Sequence, residues 1–113
     1  MKLIIAYIQP EKLNDVKKKL FDNGIFKLSV TNALGCGQQK GYEESYRGSV
    51  VDINLLKKVR IEIAVNDDFA QLTIDAISSA SHSGKIGDGK IFVTSLEQCV
   101  RIRTGEEGEP AVG

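Results

Sequence analysis

The chain has 113 residues, a length that suits one compact domain and is too short for two ordinary ones. Its 15 Lys and Arg residues balance 15 Asp and Glu residues, and 42% of its residues are hydrophobic. This composition argues against a disordered, collagen-like or membrane-spanning chain and provides no basic excess for general nucleic-acid binding. The apolar run from Leu3 to Ile8 is too short for a transmembrane helix or a secretory signal, so we expect a cytosolic protein that begins at Met1 and does not insert into a membrane.

The first predicted element is a strand from Lys2 to Ile8 with two apolar faces. Side chains alternate along a strand, so one face carries three apolar side chains and the opposite face three more. The first set is Leu3, Ile5 and Tyr7, and the second is Ile4, Ala6 and Ile8. Because both faces are apolar, both have to be covered.

A helix is predicted next, from near Pro10 to about Asn23. Leu13, Val16 and Leu20 recur at helical spacing and form its apolar face. Gly24 is the expected C-terminal stop of this helix.

The second predicted strand, Ile25 to Leu34, leads into a long polar segment from Gly35 to about Asn54. This segment carries four glycines and no regular hydrophobic period. So long a loop in a small domain is usually functional or partly disordered. Alternatively, its ends extend the flanking strands into a hairpin arm.

Residues Val59 to Val65 alternate between apolar and charged types and predict a third strand. Asn66 and Asp67 can cap a second helix, which is expected to end before Gly84. The predicted apolar face of this helix consists of Phe69, Leu72, Ala76, Ile77 and Ala80.

The remaining predicted elements are short. A fourth strand is expected at Ile91 to Val93, and a last short strand at Cys99 to Arg103. The acidic, glycine-rich tail from Gly105 to Gly113 is expected to be mobile.

The order strand, helix, strand, strand, helix, strand is the βαββαβ plan of ferredoxin-like folds, an α+β class in which two helices cover one face of an antiparallel sheet. We therefore expect a single domain over residues 1–113. In a monomer the other face of the apolar first strand would stay uncovered, and soluble monomers rarely expose such a surface. The pattern therefore predicts a homo-oligomer formed through the open sheet faces.

The cysteines and the single histidine carry little functional signal. Cys36 and Cys99 are too few for a disulfide framework or a four-ligand zinc site, and one histidine cannot complete a zinc set with them unless chains share ligands. Both cysteines are expected to be reduced thiols, and His82 is expected at the surface near a helix end.

The segment from Gly84 to Lys90 is the most informative local pattern. Its three glycines let the backbone turn tightly and bring N–H groups close to an anion. It satisfies the GxxxxGK part of a P-loop, but Ile91 stands where a Mg²⁺-binding hydroxyl is needed, and the segment leads from a helix into a strand. A P-loop NTPase is therefore rejected, and a simple turn remains the alternative to an anion site.

Arg101 and Arg103 favour phosphate binding at this segment. Two residues apart on a strand, they would project from the same face. Together with Lys90 they would form a polyphosphate clamp, because arginine binds phosphate oxygens bidentately. The alternative is a solvated basic strand face that pairs with Glu106 and Glu107.

Other polar groups carry weaker signals. Lys58, Arg60 and Glu62 share a strand face, and such a face is usually just exposed. The stretch Gln38–Lys40 offers amide and ammonium groups that could hold a carboxylate or a metal, or could simply be solvated. The sequence shows no Ser/His/Asp or Cys/His set and no carboxylate pair spaced for acid–base chemistry, so we do not expect an enzyme.

Over almost its whole length, roughly Met1 to Glu107, the chain resembles the PII nitrogen-regulatory signalling proteins. The run Ser83 to Phe92 (SGKIGDGKIF) fits the family's C-terminal motif at every position, and Arg101 to Glu106 (RIRTGE) resembles its next segment. Gly37 to Gly41 and the triplet Tyr46–Gly48 fit the family's long T-loop, here about residues 37–54. The joint match is specific, unlike any one of its pieces.

The resemblance implies a compact homotrimer of ferredoxin-like subunits that binds ATP or ADP competitively in three clefts between neighbours. By position, one subunit would hold the phosphates with Gly87, Gly89 and Lys90, and the next would contribute Arg101 and Arg103. The groups implied near the adenine and ribose are Ser29, Glu62 and Ala64. The implied nucleotide site is completed by Gly35, Gly37, Gln38 and Asp88.

The resemblance also implies that 2-oxoglutarate binds at the base of the T-loop beside Mg²⁺-ATP. Gln39 would ligate the metal, and Lys58 would pair with a carboxylate of 2-oxoglutarate. Lys40 and Gly41 would lie at the same site.

Partner binding is implied for the T-loop, whose conformation the bound ligands would set. The loop would dock on a membrane transporter, such as an ammonium channel, or on a nitrogen-metabolism enzyme. Arg47 would be the plugging residue and Tyr46 a neighbouring contact. A transporter partner would recruit the protein from the cytoplasm to the membrane.

Four positions depart from the family pattern. Val51 replaces the tyrosine that enteric-type members present for uridylylation, so nucleotidylation there is chemically impossible. Gln38 stands where many members have an arginine that assists phosphate binding, Lys57 replaces a frequent proline, and Cys36 is atypical. All four lie in the T-loop or at its base, so they bear on ATP-over-ADP preference, 2-oxoglutarate sensing and partner identity more than on the nucleotide site.

The sequence therefore predicts a non-enzymatic adenylate sensor that regulates a membrane transporter or a nitrogen-assimilation enzyme. The alternative from a different class is a trimeric metal-binding or structural protein of similar architecture, using Cys36 and acidic loop residues. A slow ATPase is a third reading, but it lacks both a base and the P-loop hydroxyl.

Overall fold

A computed structural model describes residues 1–36, 42–46 and 49–113, with side chains for residues 1–36 and 55–113. The described elements are β1 (Lys2–Ile8), a 3₁₀ turn (Pro10–Lys12), α1 (Leu13–Asp22), β2 (Ser29–Gly35), β3 (Tyr42–Tyr46), β4 (Ser49–Asn54), β5 (Leu56–Val65), α2 (Asp67–Ser81), β6 (Gly89–Ser95) and α3 (Glu109–Val112). Four strands form an antiparallel sheet in the order β2-β5-β1-β6, and β3 pairs with β4. The ferredoxin-like βαββαβ plan is confirmed, with the β3–β4 hairpin inserted between its second and third strands.

The core lies between one face of the sheet and the helices α1 and α2. The alternation predicted for β1 is confirmed, since Ile4, Ala6 and Ile8 are fully buried while their neighbours are half-buried. The core is completed by buried side chains from the other elements: Val16, Leu20, Ile25, Val59, Ile61, Ile63, Val65, Ala76 and Ile77.

The apolar face predicted for α2 is correct only in part. Phe69 and Leu72 are exposed, whereas Thr73 is fully buried. Thr73 fits this position because its hydroxyl donates a hydrogen bond to the carbonyl of Phe69 at 2.7 Å, which removes the cost of burying an unpaired polar group.

On the opposite face of the sheet, β1 and β6 carry apolar side chains that the described residues leave uncovered, whereas β5 carries Lys58, Arg60 and Glu62 on that side. Tyr7 on β1 packs edge-to-face against Phe92 on β6, with 6.3 Å between ring centroids. Leu3 and Ile5 lie on the same face of β1, and Phe92 is 53% exposed. A surface of this kind is typical of a chain that buries it against another molecule.

The bounds of β2 and β6 differ from the predicted ones because tertiary pairing sets them. β2 begins at Ser29 rather than at Ile25, whose N–H instead donates to the carbonyl of Leu20 at 2.9 Å and closes the end of α1. Gly24, with φ of 80°, ends that helix as expected. β6 spans Gly89–Ser95 rather than three residues because it pairs with every residue of β1.

The hairpin arm that the sequence offered as an alternative is present. The backbone of β3 pairs with that of β4 from Tyr42 opposite Asn54 to Tyr46 opposite Ser49. Within the ranges that the structure describes, no helix is long and apolar enough to cross a membrane.

The last predicted strand, Cys99 to Arg103, is wrong. Its backbone groups bond to the residues that follow instead of to the sheet: Arg101 N–H donates to the Glu106 carbonyl, and Gly108 N–H to the Cys99 carbonyl, both at 2.9 Å. The tail, predicted to be mobile, forms α3 and places Val112 among the buried residues. It is thus attached to the body of the domain.

Candidate functional site

The glycine-rich loop before β6 is folded around the carboxylate of Asp88. One oxygen accepts hydrogen bonds from the N–H groups of Ser83 at 2.7 Å and Gly84 at 2.9 Å, and the other accepts the hydroxyl of Ser83. These bonds, the hydroxyl first, lower the pKa of Asp88 to about 2, so the carboxylate is ionised at neutral pH. Asp88 therefore holds the loop together from within.

Glycine is required where this loop joins the sheet. Gly89 has φ of 107°, a left-handed conformation that side chains rarely adopt, and a Cβ there would lie 1.7 Å from the carbonyl oxygen of Tyr7. Gly87 also has a positive φ, of 103°. The loop can thus approach β1 closely only without a side chain at Gly89.

An open cleft of about 600 Å³ lies beside the loop. Its described lining includes the loop from Lys85 to Lys90, the end of β2 at Gly35 and Cys36, and the start of β5 at Lys58. Three lysines and one carboxylate line it, and that carboxylate is the internally bonded Asp88. Among the described residues the cleft therefore carries an excess of positive charge, which suits an anion.

Gln9, just after β1, and Lys58 on β5 bond to the loop. Gln9 donates to the carbonyl of Gly87 at 2.6 Å, and the ammonium group of Lys58 donates to the same carbonyl at 3.0 Å. Lys58 therefore lies at the base of the inserted hairpin and is bonded to the loop.

A second group of predicted site residues lies at the opposite end of the sheet. Ser29 pairs with Glu62 across β2 and β5, and Ala64 lines a smaller cavity of about 220 Å³ with Lys27 and Gly113. The guanidinium of Arg60 donates to the Glu62 carboxylate at 2.6 Å, and this hydrogen bond raises the pKa of Arg60.

Arg101 and Arg103 do not share a strand face, so that prediction is corrected. The segment turns at this point, since Gly105 N–H donates to the Arg101 carbonyl at 2.7 Å. Arg101 pairs with Glu106 at 2.9 Å, the alternative offered by the sequence, whereas Arg103 is exposed and makes no hydrogen bond or ion pair with the described residues.

The two groups are too far apart to meet within one chain. The loop and cleft adjoin Gly35, whereas Ser29 marks the other end of the same strand. Six residue-to-residue steps along the strand separate them, which is about 20 Å. Gly113, whose added side-chain carbon would lie 3.7 Å from the Arg101 guanidinium, places Arg101 at the Lys27 end. A site that uses both groups therefore needs two subunits.

Comparison with known proteins identifies the family. The model of the family "Nitrogen regulatory protein P-II" matches residues 1–106. The chain belongs to the P-II family. It is 50% identical to the nitrogen regulatory protein P-II of Azospirillum brasilense, 51% to that of Cereibacter sphaeroides, and 49% to the nitrogen regulatory protein GlnK of Escherichia coli, each over 99% of this chain and 100% of the relative. It is accordingly a nitrogen regulatory signal-transduction protein.

Several residues that the resemblance implied for this P-II chain lie outside the described residues. They are Gly37, Gln38, Gln39, Lys40, Gly41 and Arg47, and the same holds for the side chains of Tyr46 and Val51. The roles implied for them in metal, 2-oxoglutarate, nucleotide and partner binding stay predictions.

Of the remaining predicted residues, the structure brings Gly35, Gly87, Gly89 and Lys90 together with Lys58 around the cleft. Asp88 is turned into the loop. His82 is exposed near the end of α2, as expected, with its ring nitrogen 3.7 Å from Asp88.

Sequence reasoning missed Gln9 and Ser83 as part of the site. Gln9 follows a strand without any local signal, because its role depends on the loop that tertiary structure brings to it. Ser83 had a signal: a hydroxyl residue five positions before an aspartate in a glycine-rich turn is well placed to bond that carboxylate.

Proposed function

We propose that this P-II protein binds ATP or ADP in clefts between the subunits of a homotrimer and acts without catalysis. Through the T-loop it would control a membrane transporter, such as an ammonium channel, or a nitrogen-metabolism enzyme. The observation that carries the proposal is the lysine-lined cleft beside a glycine loop closed by Asp88. Lys90 is exposed there and, among the described residues, makes no hydrogen bond or ion pair, so it is available to a phosphate.

The separation of the two groups of site residues supports a site shared between subunits. In one chain the loop lies about 20 Å along β2 from the end that carries Ser29 and Arg101. A second chain would bring its Arg101 end to the loop of the first. The uncovered apolar face with Tyr7 and Phe92 provides the surface on which such chains would pack.

Mg²⁺ and 2-oxoglutarate would bind at this site as co-ligands of the nucleotide. The described lining offers no carboxylate besides Asp88, whose oxygens are engaged within the loop, so Mg²⁺ would be carried mainly by phosphate oxygens with Gln39 as the predicted protein ligand. A carboxylate of 2-oxoglutarate would pair with Lys58. This pairing would compete with the bond from Lys58 to the Gly87 carbonyl and so couple the T-loop base to the phosphate loop.

The regulatory action would be a population shift. A ligand switches the T-loop only by binding its conformations with different affinities, and the partner reads the outcome. Val51 excludes uridylylation at that position, so ligand binding alone would carry the signal there. In the absence of a partner the protein is expected in the cytoplasm, and a transporter partner would recruit it to the membrane.

Calorimetric titration tests the nucleotide site. Lys90→Ala and Arg101→Ala should each weaken ATP binding at least about tenfold, because each loses a charge-assisted contact to phosphate. Lys19→Ala, which removes the same charge from an exposed position on α1, should bind as the unaltered protein does. Unchanged affinity in both site variants would refute the proposed site.

The same titration with and without 2-oxoglutarate tests the second ligand. If ATP binding tightens, linkage requires that ATP also tightens 2-oxoglutarate binding, as in a combined carbon, nitrogen and energy sensor. Light scattering tests the assembly, which should have about three times the 12.3 kDa subunit mass. A 12.3 kDa particle would contradict the shared site.

For the alternative function, a trimeric metal-binding or structural protein, the part of the chain with described side chains offers no specific observation in favour. Within residues 1–36 and 55–113, no group of three or more His, Cys, Asp or Glu side chains is placed to hold a metal ion. That alternative predicts metal-dependent stabilisation without any effect of nucleotide.

A further inference from the structure

The C-terminal tail binds the guanidinium of Arg101. One terminal nitrogen donates to the Glu106 carboxylate at 2.9 Å, and the other donates to the carbonyl of Pro110 at 3.1 Å. The same Glu106 oxygen accepts the hydroxyl of Thr104 at 3.0 Å. We call residues 104–113 the C-terminal clip.

The clip is bonded to the rest of the domain near both of its ends, so the ion pair between Arg101 and Glu106 is held in place by other contacts. Near its start, the Glu106 carbonyl accepts the N–H of Arg101 at 2.9 Å. Near its end, the Glu109 carbonyl accepts the side-chain amide of Asn66 at 3.2 Å, and Val112 is only 8% exposed. The clip therefore presents the Glu106 carboxylate and the Pro110 carbonyl to Arg101 in a fixed geometry.

The clip uses the atoms that phosphate binding needs. Arginine holds phosphate through a planar fork of N–H donors, and the strongest contacts use two of them at once. Both terminal nitrogens of Arg101 already donate within the chain, and a carboxylate 2.9 Å from one of them would repel an approaching phosphate. The clip takes one N–H of each terminal nitrogen, and a phosphate across the same two nitrogens would lie against the Glu106 carboxylate, so a closed clip weakens the contact between Arg101 and a polyphosphate.

Arg103 provides the contrast. It is exposed, and within the described residues it has no acceptor of its own. A polyphosphate could accept hydrogen bonds from Arg103 without displacing a described partner. At Arg101 it would first have to displace the Glu106 carboxylate.

We propose that the C-terminal clip is an intrachain competitor that lowers the affinity of the site for polyphosphate by holding Arg101. The inference rests on the proposed function, because it assigns Arg101 to the phosphate site. Because apparent affinity falls with the fraction of competent protein, a clip that is mostly closed weakens binding by the closed-to-open ratio. Linkage then requires that bound polyphosphate opens the clip.

Glu106→Ala tests the clip, and Glu107→Ala is the matched control. Both variants remove one negative charge from adjacent exposed positions, but only Glu106 bonds to Arg101. Calorimetric titration with Mg²⁺-ATP should show Glu106→Ala binding about threefold or more tightly than the unaltered protein, and Glu107→Ala changing less than about 1.5-fold. In an Arg101→Ala background the gain from Glu106→Ala should vanish.

Sodium tripolyphosphate serves as a second probe that separates this inference from the proposed function. If tripolyphosphate binding shows the expected order of variants while ATP does not bind, the clip stands and the nucleotide proposal fails. If ATP binds, but Glu106→Ala has the same affinity for it as Glu107→Ala or a lower affinity than the unaltered protein, the clip proposal fails and the nucleotide proposal stands. If neither probe binds, both are overturned.

Discussion

Gly89→Ala should destabilise the protein strongly, because this position combines a strained backbone with a backbone clash. A left-handed φ costs a non-glycine residue about 1–2 kcal/mol, and Gly89 has φ of 107°. A new Cβ would lie 1.7 Å from the carbonyl oxygen of Tyr7, so β6 must shift where Gly89 pairs with Ile8. Overpacking usually costs about 1–3 kcal/mol, and a backbone atom moves away less easily than a side chain does. We therefore expect Gly89→Ala to lower the free energy of unfolding by about 3–5 kcal/mol in total.

Gly24→Ala is the matched control for this prediction. Gly24 also has a positive φ, of 80°, but nothing lies within 4 Å of a Cβ added there. Gly24→Ala should therefore lower the free energy of unfolding only by the cost of the left-handed φ, about 1–2 kcal/mol.

Thermal unfolding followed by circular dichroism distinguishes the two glycine variants. At about 4 °C per kcal/mol, Gly89→Ala should lower Tm by about 12–20 °C and Gly24→Ala by about 4–8 °C. All proteins must be compared at one concentration, because assembly shifts apparent stability. A loss in Gly89→Ala no larger than that in Gly24→Ala would refute the close approach of loop and strand.

Two further predictions concern Asp88 and the open sheet face. The pKa of Asp88 is lowered from 3.8 to about 2, so its carboxylate stabilises the folded state above about pH 4 and that contribution is lost as the pH falls to about 2. The Tm difference between the unaltered protein and Asp88→Asn should therefore be constant from about pH 5 to 7 and disappear near pH 2, and a difference that persists there would contradict the assignment. Phe92→Asp should leave 12.3 kDa monomers in light scattering, because Phe92 lies on the uncovered sheet face. The control variant Leu72→Asp, on the exposed side of α2, should still assemble. If the two variants have the same particle mass, another surface joins the subunits.

Elements with a strong local period were predictable from the sequence. The alternation of Ile4, Ala6 and Ile8 with their neighbours identified β1 and both of its apolar faces, because strand side chains point to opposite sides whatever they contact. The glycines of the Gly84–Lys90 segment likewise predicted a tight turn, since their backbone freedom is a local property.

The C-terminal segment shows where local reasoning failed. Arg101 and Arg103 have strand-like spacing, but neighbouring residues offered closer partners: Glu106 and Gly108 close a turn with the backbone of 99–101. Which of two hydrogen-bonding arrangements wins depends on the partners that the folded chain supplies, and spacing alone carries no information about them.

Side-chain period and glycine content along the chain were enough to predict most strands and helices, the two apolar faces of β1 and the glycine-rich turn before β6. The folded chain was needed to show that Gln9 and Lys58 both bond to the Gly87 carbonyl and that the Asp88 carboxylate bonds within its own loop. It was also needed to show that Arg101 lies at the far end of the sheet, bonded to the C-terminal clip. Those arrangements join residues distant along the chain. They depend on strand order and register, which local preferences along the chain do not set.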